Sequence, residues 1–317
     1  MHHTKILIIF AVEDILLRLI MAKYLNPKID LTFKKVFGEH PNLVKSLLNA
    51  LLPLPEGMEI MTVEYLTNET VPDNPGKKLS IVDVRCTDNY GRGFIVEMQS
   101  LWNGEFFSRT LFNAAAMYSK QLDKGTSFER LREVYALALV NDNAFKYDGD
   151  NGYIQEFYIA NKNHPDDIRK ELALIFVELP KYKPVDRGSR AIKELWLRFL
   201  TEIDEATKSV DKVLTDNPEI SEALEIVERS AYSDGDLYKY NDYRLEIITQ
   251  RNAMKNERED GYAEGEAKGI EKGRAEGRAE GAKQQAIETA RRMKTKGLDL
   301  DTISDFTGLT PDEIAKI

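Results

Sequence analysis

The stretch from Lys77 to Gln99 constrains this chain more than any other. Its two halves, Lys77–Thr87 and Phe94–Gln99, are rich in β-branched and aromatic residues and alternate with period two. Between them Asp88-Asn89, with Gly91 and Gly93, supplies turn chemistry. The pattern predicts a β-hairpin folded about Tyr90, so that facing residues have numbers summing to about 180. Asp83 then faces Glu97, and Ile81 faces Gln99. Because side chains alternate, Asp83, Glu97 and Gln99 share one face, while Val82, Val84, Phe94, Val96 and Met98 share the other, which belongs in a core.

The polar face sets two carboxylates opposite each other with β-carbons roughly 5 Å apart, which is unfavourable unless a cation lies between them. Two carboxylates and the Gln99 amide oxygen suit a hard divalent ion such as Mg²⁺, which prefers oxygen ligands and keeps several waters. A wet, charged face of an antiparallel pair is the plainer reading of the same residues.

Further motifs narrow the choice. Asp83 followed by Glu97-Met98-Gln99 resembles the D…(D/E)-x-K signature of the PD-(D/E)XK nuclease superfamily, with Gln where Lys is usual. The run Asn26-Pro27-Lys28-Ile29-Asp30-Leu31-Thr32-Phe33 through Gly38, and Arg109 with Tyr118-Ser119-Lys120-Gln121-Leu122 and Gly125, resemble segments of the Rpn family. These are recombination-promoting nucleases, also described as transposases of the PD-(D/E)XK type. The resemblance runs from Met21 to Lys255 and recurs at the extreme C-terminus.

The resemblance implies an α/β fold with a restriction-endonuclease-like αβββαβ core and added helices, and a metal-dependent DNA endonuclease. Carried over by position, Asp30, Asp83 and Glu97 would hold Mg²⁺, or Mn²⁺, with Gln99 in the lysine's place. A neutral amide donates and accepts hydrogen bonds but brings no charge to the phosphate. The cation must then come from elsewhere, and Lys77, Lys78, Lys34 and Lys35 are the candidates. Arg109, Tyr118 and Gln121 match family positions, either as phosphate contacts or as ordinary helix packing. DNA contacts are therefore expected at Lys34, Lys78, Arg109 and Gln121.

Composition sets bounds on these expectations. The chain has 317 residues and 42% hydrophobic content, enough for one substantial core and an appendage. A formal net charge of −9 argues against coating nucleic acid through bulk electrostatics, while leaving room for a local basic groove. The one cysteine, Cys86, excludes an internal disulfide, fits a reducing cytoplasm and reads as a small buried hydrophobe. The histidines at positions 2, 3, 40 and 164 lack zinc-ligand spacing, and no Gly-x-Ser-x-Gly occurs. The apolar run Ile6–Val12 is too short for a bilayer and is followed by Glu13 and Asp14, so neither an anchor nor a signal peptide is expected. Met21 stands where the resemblance begins, so residues 1–20 are expected to be a start-site extension.

Along the chain, apolar residues from Phe33 to Leu51 recur at three and four, with a break at 39–42, predicting two helices. Asp30 stands where a helix N-cap would, which competes with its role as a ligand. Residues 101–122 again have helical spacing, and Val134–Asn141 reads as a strand buried on both faces. Two further strands are expected near Phe157–Asn161 and Leu172–Leu179, then helices over 191–201, 219–229 and 237–255. Trp196 and Phe199 read as core.

Glycines at 261, 265, 269, 273, 277 and 281 recur every fourth residue among charged residues. Each costs a helix about 1 kcal/mol relative to alanine, so 256–283 is either a solvated linker helix or a stripe for self-association. The final segment, 284–317, ends in Thr310-Pro311-Asp312-Glu313, a capping box with proline at the first helical position. It resembles a helix-turn-helix. Asp312 and Glu313 at the end that would meet bases favour a packing or homo-oligomerisation element instead. With 21–255 as the nuclease domain, the rival to a DNA endonuclease is a non-catalytic DNA-binding or assembly protein with a relic site.

Overall fold

The computed structural model describes residues 21–70, 80–147, 149 and 152–317. The expectations for residues 1–20, Lys77 and Lys78 lie outside the described residues.

The chain divides into two units, residues 1–248 and 249–317. In the first, the predicted helical run splits into α1 (Asp30–Gly38) and α2 (Pro41–Leu51). The break has a simple cause, because Pro41 opens the second helix and lacks the N–H to continue the first. Asp30 is the first residue of α1 and not its cap, which is Ile29 with no side-chain cap bond. Its negative charge still lies in the first turn, where the helix dipole favours it.

The described strands are β1 (Val63–Tyr65), β2 (Glu69–Thr70), β3 (Ser80–Ile81), β4 (Val84–Asp88), β5 (Gly93–Gln99), β6 (Val134–Val140), β7 (Ile154–Asn161) and β8 (His164–Glu178). Six of them form one sheet in the order β1-β4-β5-β6-β8-β7, with β5, β6 and β8 mutually parallel and the remaining pairs antiparallel. Parallel strands need a crossover, and helix α3 (Gly104–Ser119) supplies it between β5 and β6. Helix, strands, helix, strand is the order that the family core requires.

The central hairpin has the expected register: Val84 pairs with Val96, Arg85 with Ile95 and Cys86 with Phe94. Its turn closes on Asp88, whose carboxylate accepts from the Tyr90 and Arg92 amides, and Gly91 adopts φ +77°, which a side chain resists. Gly93 has a different reason, since a β-carbon there would stand 2.6 Å from Met117 Cε.

Two details of the hairpin differ from the sequence reading. The first strand breaks at Asp83, and Ile81 pairs with Glu69 on β2, not with Gln99. The break turns Val82 to the opposite face from Val84: Val82 packs with Ile95, Phe106 and Met117. Val84, Cys86, Phe94 and Val96 join Phe33, Phe37, Leu47 and Trp196. The second difference follows, because the face taken as polar is covered. Strand β5 is sandwiched between α1, α2 and α4 (Ile192–Glu202) on one side and α3 on the other, and Ile95 is buried against α3. Both faces of β6 are buried, as its unbroken apolar run predicts.

Short helices α5 (Lys212–Thr215) and α6 (Pro218–Ile226) complete this side of the core. Helix α7 spans Asp234–Thr295, so the segments expected at 237–255 and 256–283 and the first part of 284–317 are one continuous helix. In the second unit, α8 (Leu300–Thr307) and α9 (Pro311–Ala315) pack Ile303, Leu309 and Ile314 against Ala290. The capping box at Thr310 and Glu313 forms as the sequence predicts.

Candidate functional site

The site lies where β5 ends and α3 begins, outside the carboxyl end of a parallel strand, as is usual for ligand sites in such sheets. A cavity of about 770 Å³ opens there, with Asp83, Glu97, Arg109 and Asn113 among its lining residues. The i, i+3, i+4, i+7, i+8 spacing of Glu105, Ser108, Arg109, Phe112 and Asn113 turns one face of α3 toward it.

The same hydrogen bonds that interrupt the first strand also place Asp83. Its carboxylate accepts from the Met98 amide at 2.8 Å, in place of a ladder partner, and its own carbonyl accepts from Asn68 Nδ2 at 2.9 Å. Thus Asp83 is tied to the Glu97-Met98-Gln99 segment through its main chain. Glu97 is only 5% exposed. Its Oε1 accepts from Asn113 Nδ2 at 2.9 Å, and its Oε2 lies 3.8 Å from Arg109 Nη2.

Burial raises both carboxyls above the ordinary carboxylate range. For Asp83 the Met98 amide and Lys34 oppose that rise. For Glu97 the Asn113 bond and Arg109 oppose it, while the Asp83 charge adds to it. A pair that resists ionisation for want of solvent, with the Asp30 charge adding to the rise at Asp83 and the Asp83 charge to that at Glu97, is a fit host for a divalent cation. The donors are hard oxygens and the cavity leaves room for water, so Mg²⁺ suits them better than a metal that prefers nitrogen or sulfur.

The other sequence candidates distribute as follows. Lys34 Nζ stands 2.7 Å from Asp30 and 3.6 Å from Asp83, so it holds Asp30 in an ion pair beside the site. Among the described residues no group of three His, Cys, Asp or Glu is placed to hold a metal, and Asp30 does not join Asp83 and Glu97 as a third ligand. Lys35 lies over the Tyr232 ring. Gln121 bonds both ways to the Arg132 backbone, at 2.7 and 2.9 Å, and secures the approach to β6. Tyr118 lines a separate depression with Arg132 and Arg169. Gln99 and Arg109 do meet, with Arg109 Nη2 donating to Gln99 Oε1 at 2.8 Å.

Asn113 was not among the sequence candidates. Its signal was available: an amide on the apolar face made by Phe106, Ala114 and Met117, four residues from Arg109.

Residues 27–257 match the family model described as PD-(D/E)XK nuclease family transposase, and residues 283–317 match that described as the C-terminal HTH domain of the Rpn/YhgA-like nuclease family. No curated protein and no solved structure matches the chain. Among the described residues, no helix is long and apolar enough to cross a membrane.

Proposed function

We propose, from the premise that this chain belongs to the PD-(D/E)XK nuclease family of transposases, that it is a metal-dependent DNA endonuclease. The observation that carries the reading is the Asp83–Glu97 pair: two carboxylates with raised pKa, sharing one cavity, held by Met98 and Asn113 in a costly arrangement that a divalent cation would relieve.

Asp83 and Glu97 would hold the ion, Mg²⁺ or Mn²⁺, with water in the remaining positions. When bound, such an ion lowers the pKa of an attacking water and polarises the phosphodiester. The protein's own residues prepare for that. Asn113 fixes the Glu97 carboxylate, the Met98 amide fixes Asp83, and Lys34 balances the acidic corner formed with Asp30. Gln99 completes the motif at the end of β5 and Arg109 brings positive charge to the cavity wall. Asp30 supports the site through Lys34 rather than as a ligand. A role in recombination or DNA mobilisation rests on the family alone, and action in the cytoplasm on the single cysteine of the chain.

Plasmid cleavage by the purified protein with Mg²⁺ or Mn²⁺ tests this, beside Asp83→Ala, Glu97→Ala and an EDTA control. Metal-dependent cutting that both variants lose is expected. Binding of DNA without cutting would favour the rival reading, an assembly protein with a relic site.

A further inference from the structure

The amide of Gln99 is committed at both ends. Its Oε1 accepts from Arg109 Nη2 at 2.8 Å, and its Nε2 donates to the Leu101 carbonyl at 2.5 Å. These bonds fix which way the amide faces, with the oxygen toward the guanidinium. Arg109 is held from two further sides, by the Phe106 ring at 4.9 Å and by Glu97 Oε2 at 3.8 Å. Yet its side chain remains 48% exposed and lines the cavity. A guanidinium has five N–H donors, so the bond to Gln99 leaves others for a ligand. Lys34, the other described cation beside the carboxylates, already has Asp30 at 2.7 Å and Asp83 at 3.6 Å.

We propose that Arg109 supplies the positive charge that meets the scissile phosphate, and that Gln99 is a positioning residue that aims it. This assignment rests on the nuclease reading and deepens it. The charge needed at the end of β5 comes from a neighbouring helix, and the strand residue is an acceptor because an ammonium there would repel the guanidinium. In the reaction, an oxygen–phosphorus bond forms from water as the bridging phosphorus–oxygen bond breaks. The water gives up a proton to solvent, and the leaving oxygen ends protonated. Arg109 stays protonated throughout and stabilises the charge on the non-bridging oxygens, which is greatest as the new bond forms.

The test is a double-variant cycle on plasmid cleavage in Mn²⁺, using Arg109→Ala, Arg109→Lys, Gln99→Leu and the Gln99→Leu/Arg109→Ala double variant. Methylguanidinium is added as a rescue agent, and binding of a short fluorescein-labelled duplex is measured in EDTA. Loss of Arg109 should lower kcat on the order of 100-fold, with a much smaller change in KM. Methylguanidinium should restore cutting to the Arg109→Ala protein but not to Gln99→Leu, and Arg109→Lys should fall between. The double variant should be no slower than Arg109→Ala, because Gln99 acts through Arg109. Losses that multiply in the double variant overturn the assignment, as does wild-type cutting by Arg109→Ala, and either leaves the nuclease reading in place. A wild-type protein that binds the duplex but never cuts overturns both.

Discussion

Asn113 Nδ2 donates to Glu97 Oε1 at 2.9 Å from the buried side of α3, so a side chain of the crossover helix holds a strand-end carboxylate. Removing that bond while keeping the shape leaves a buried acceptor without this donor, which costs about 1–3 kcal/mol. Asn113→Leu should therefore lower stability by that amount in urea denaturation. It should also weaken Mn²⁺ binding at neutral pH, measured by calorimetry, since the Asn113 bond opposes the rise in the Glu97 pKa. Unchanged Mn²⁺ affinity would show that Glu97 is no ligand.

Asp83 and Glu97 have folded-state pKa values above their ordinary ones, first because of burial. Between the ordinary and the raised pKa the folded chain binds more protons than the unfolded one, so stability falls as pH rises through that window. Glu97→Gln removes the penalty without changing shape. In EDTA at neutral pH the variant should be more stable than wild type by roughly 0.5–2 kcal/mol, a gain that shrinks toward acid, and it should not cut DNA. Thermal denaturation at neutral and acidic pH reads the difference.

Lys28 behaves in the opposite sense. Its Nζ donates to the Leu200 carbonyl at 2.7 Å, and burial lowers its pKa from 10.5 to about 8, against Asp204 and Glu205. Between those values the unfolded chain binds the extra proton, so stability rises with pH across that window. The stability difference between wild type and Lys28→Met should shift in favour of wild type by on the order of 2 kcal/mol over it, after allowance for partial exposure. A flat difference in denaturant midpoints would mean that the ammonium stays solvated.

Glu178 is fully buried and accepts from the amides of Ala144 and Phe145 and from Lys181 Nζ at 2.7 Å. Glu178→Ala strands Lys181 and two main-chain donors together. The expected cost is about 3–5 kcal/mol in urea denaturation, the range for breaking a buried pair. A loss below 1 kcal/mol would indicate that water replaces the carboxylate.

The glycines from Gly261 to Gly281 have nothing within 4 Å of where a β-carbon would stand. Replacing Gly265, Gly269 and Gly273 with alanine should stabilise this part of α7 by about 1 kcal/mol each, seen as slower amide exchange over residues 256–283. Faster exchange, with a smaller mass by light scattering, would instead identify the glycines as a contact stripe between copies.

Much of this was legible in the chain itself. The period-two runs either side of Asp88–Gly93 specified a hairpin and, from Val84 to Cys86, its register, because the turn residues between the runs centre the pairing near Tyr90. The apolar run Val134–Val140 announced a strand covered on both faces, and Pro41 marked the helix break. Those are local signals, carried by side-chain spacing and by residues with restricted backbones.

What the sequence alone determined, then, was which residues alternate, where the chain turns and that Asp83 and Glu97 fall on one side of the hairpin, where both line the cavity. Only the tertiary structure decided the fate of the face they share. Asp83 breaks its own strand by accepting the Met98 amide, and α3 then covers Ile95 while leaving the carboxylates at the cavity wall. Asn113, Arg109 and Lys34 reach those carboxylates from helices separated from them in sequence, while Tyr118, at the far end of α3, and Gln121, just beyond it, do not line the cavity. The reason is physical: alternation fixes which way a side chain points, but which helix covers it depends on burying the apolar surface of the whole sheet at once.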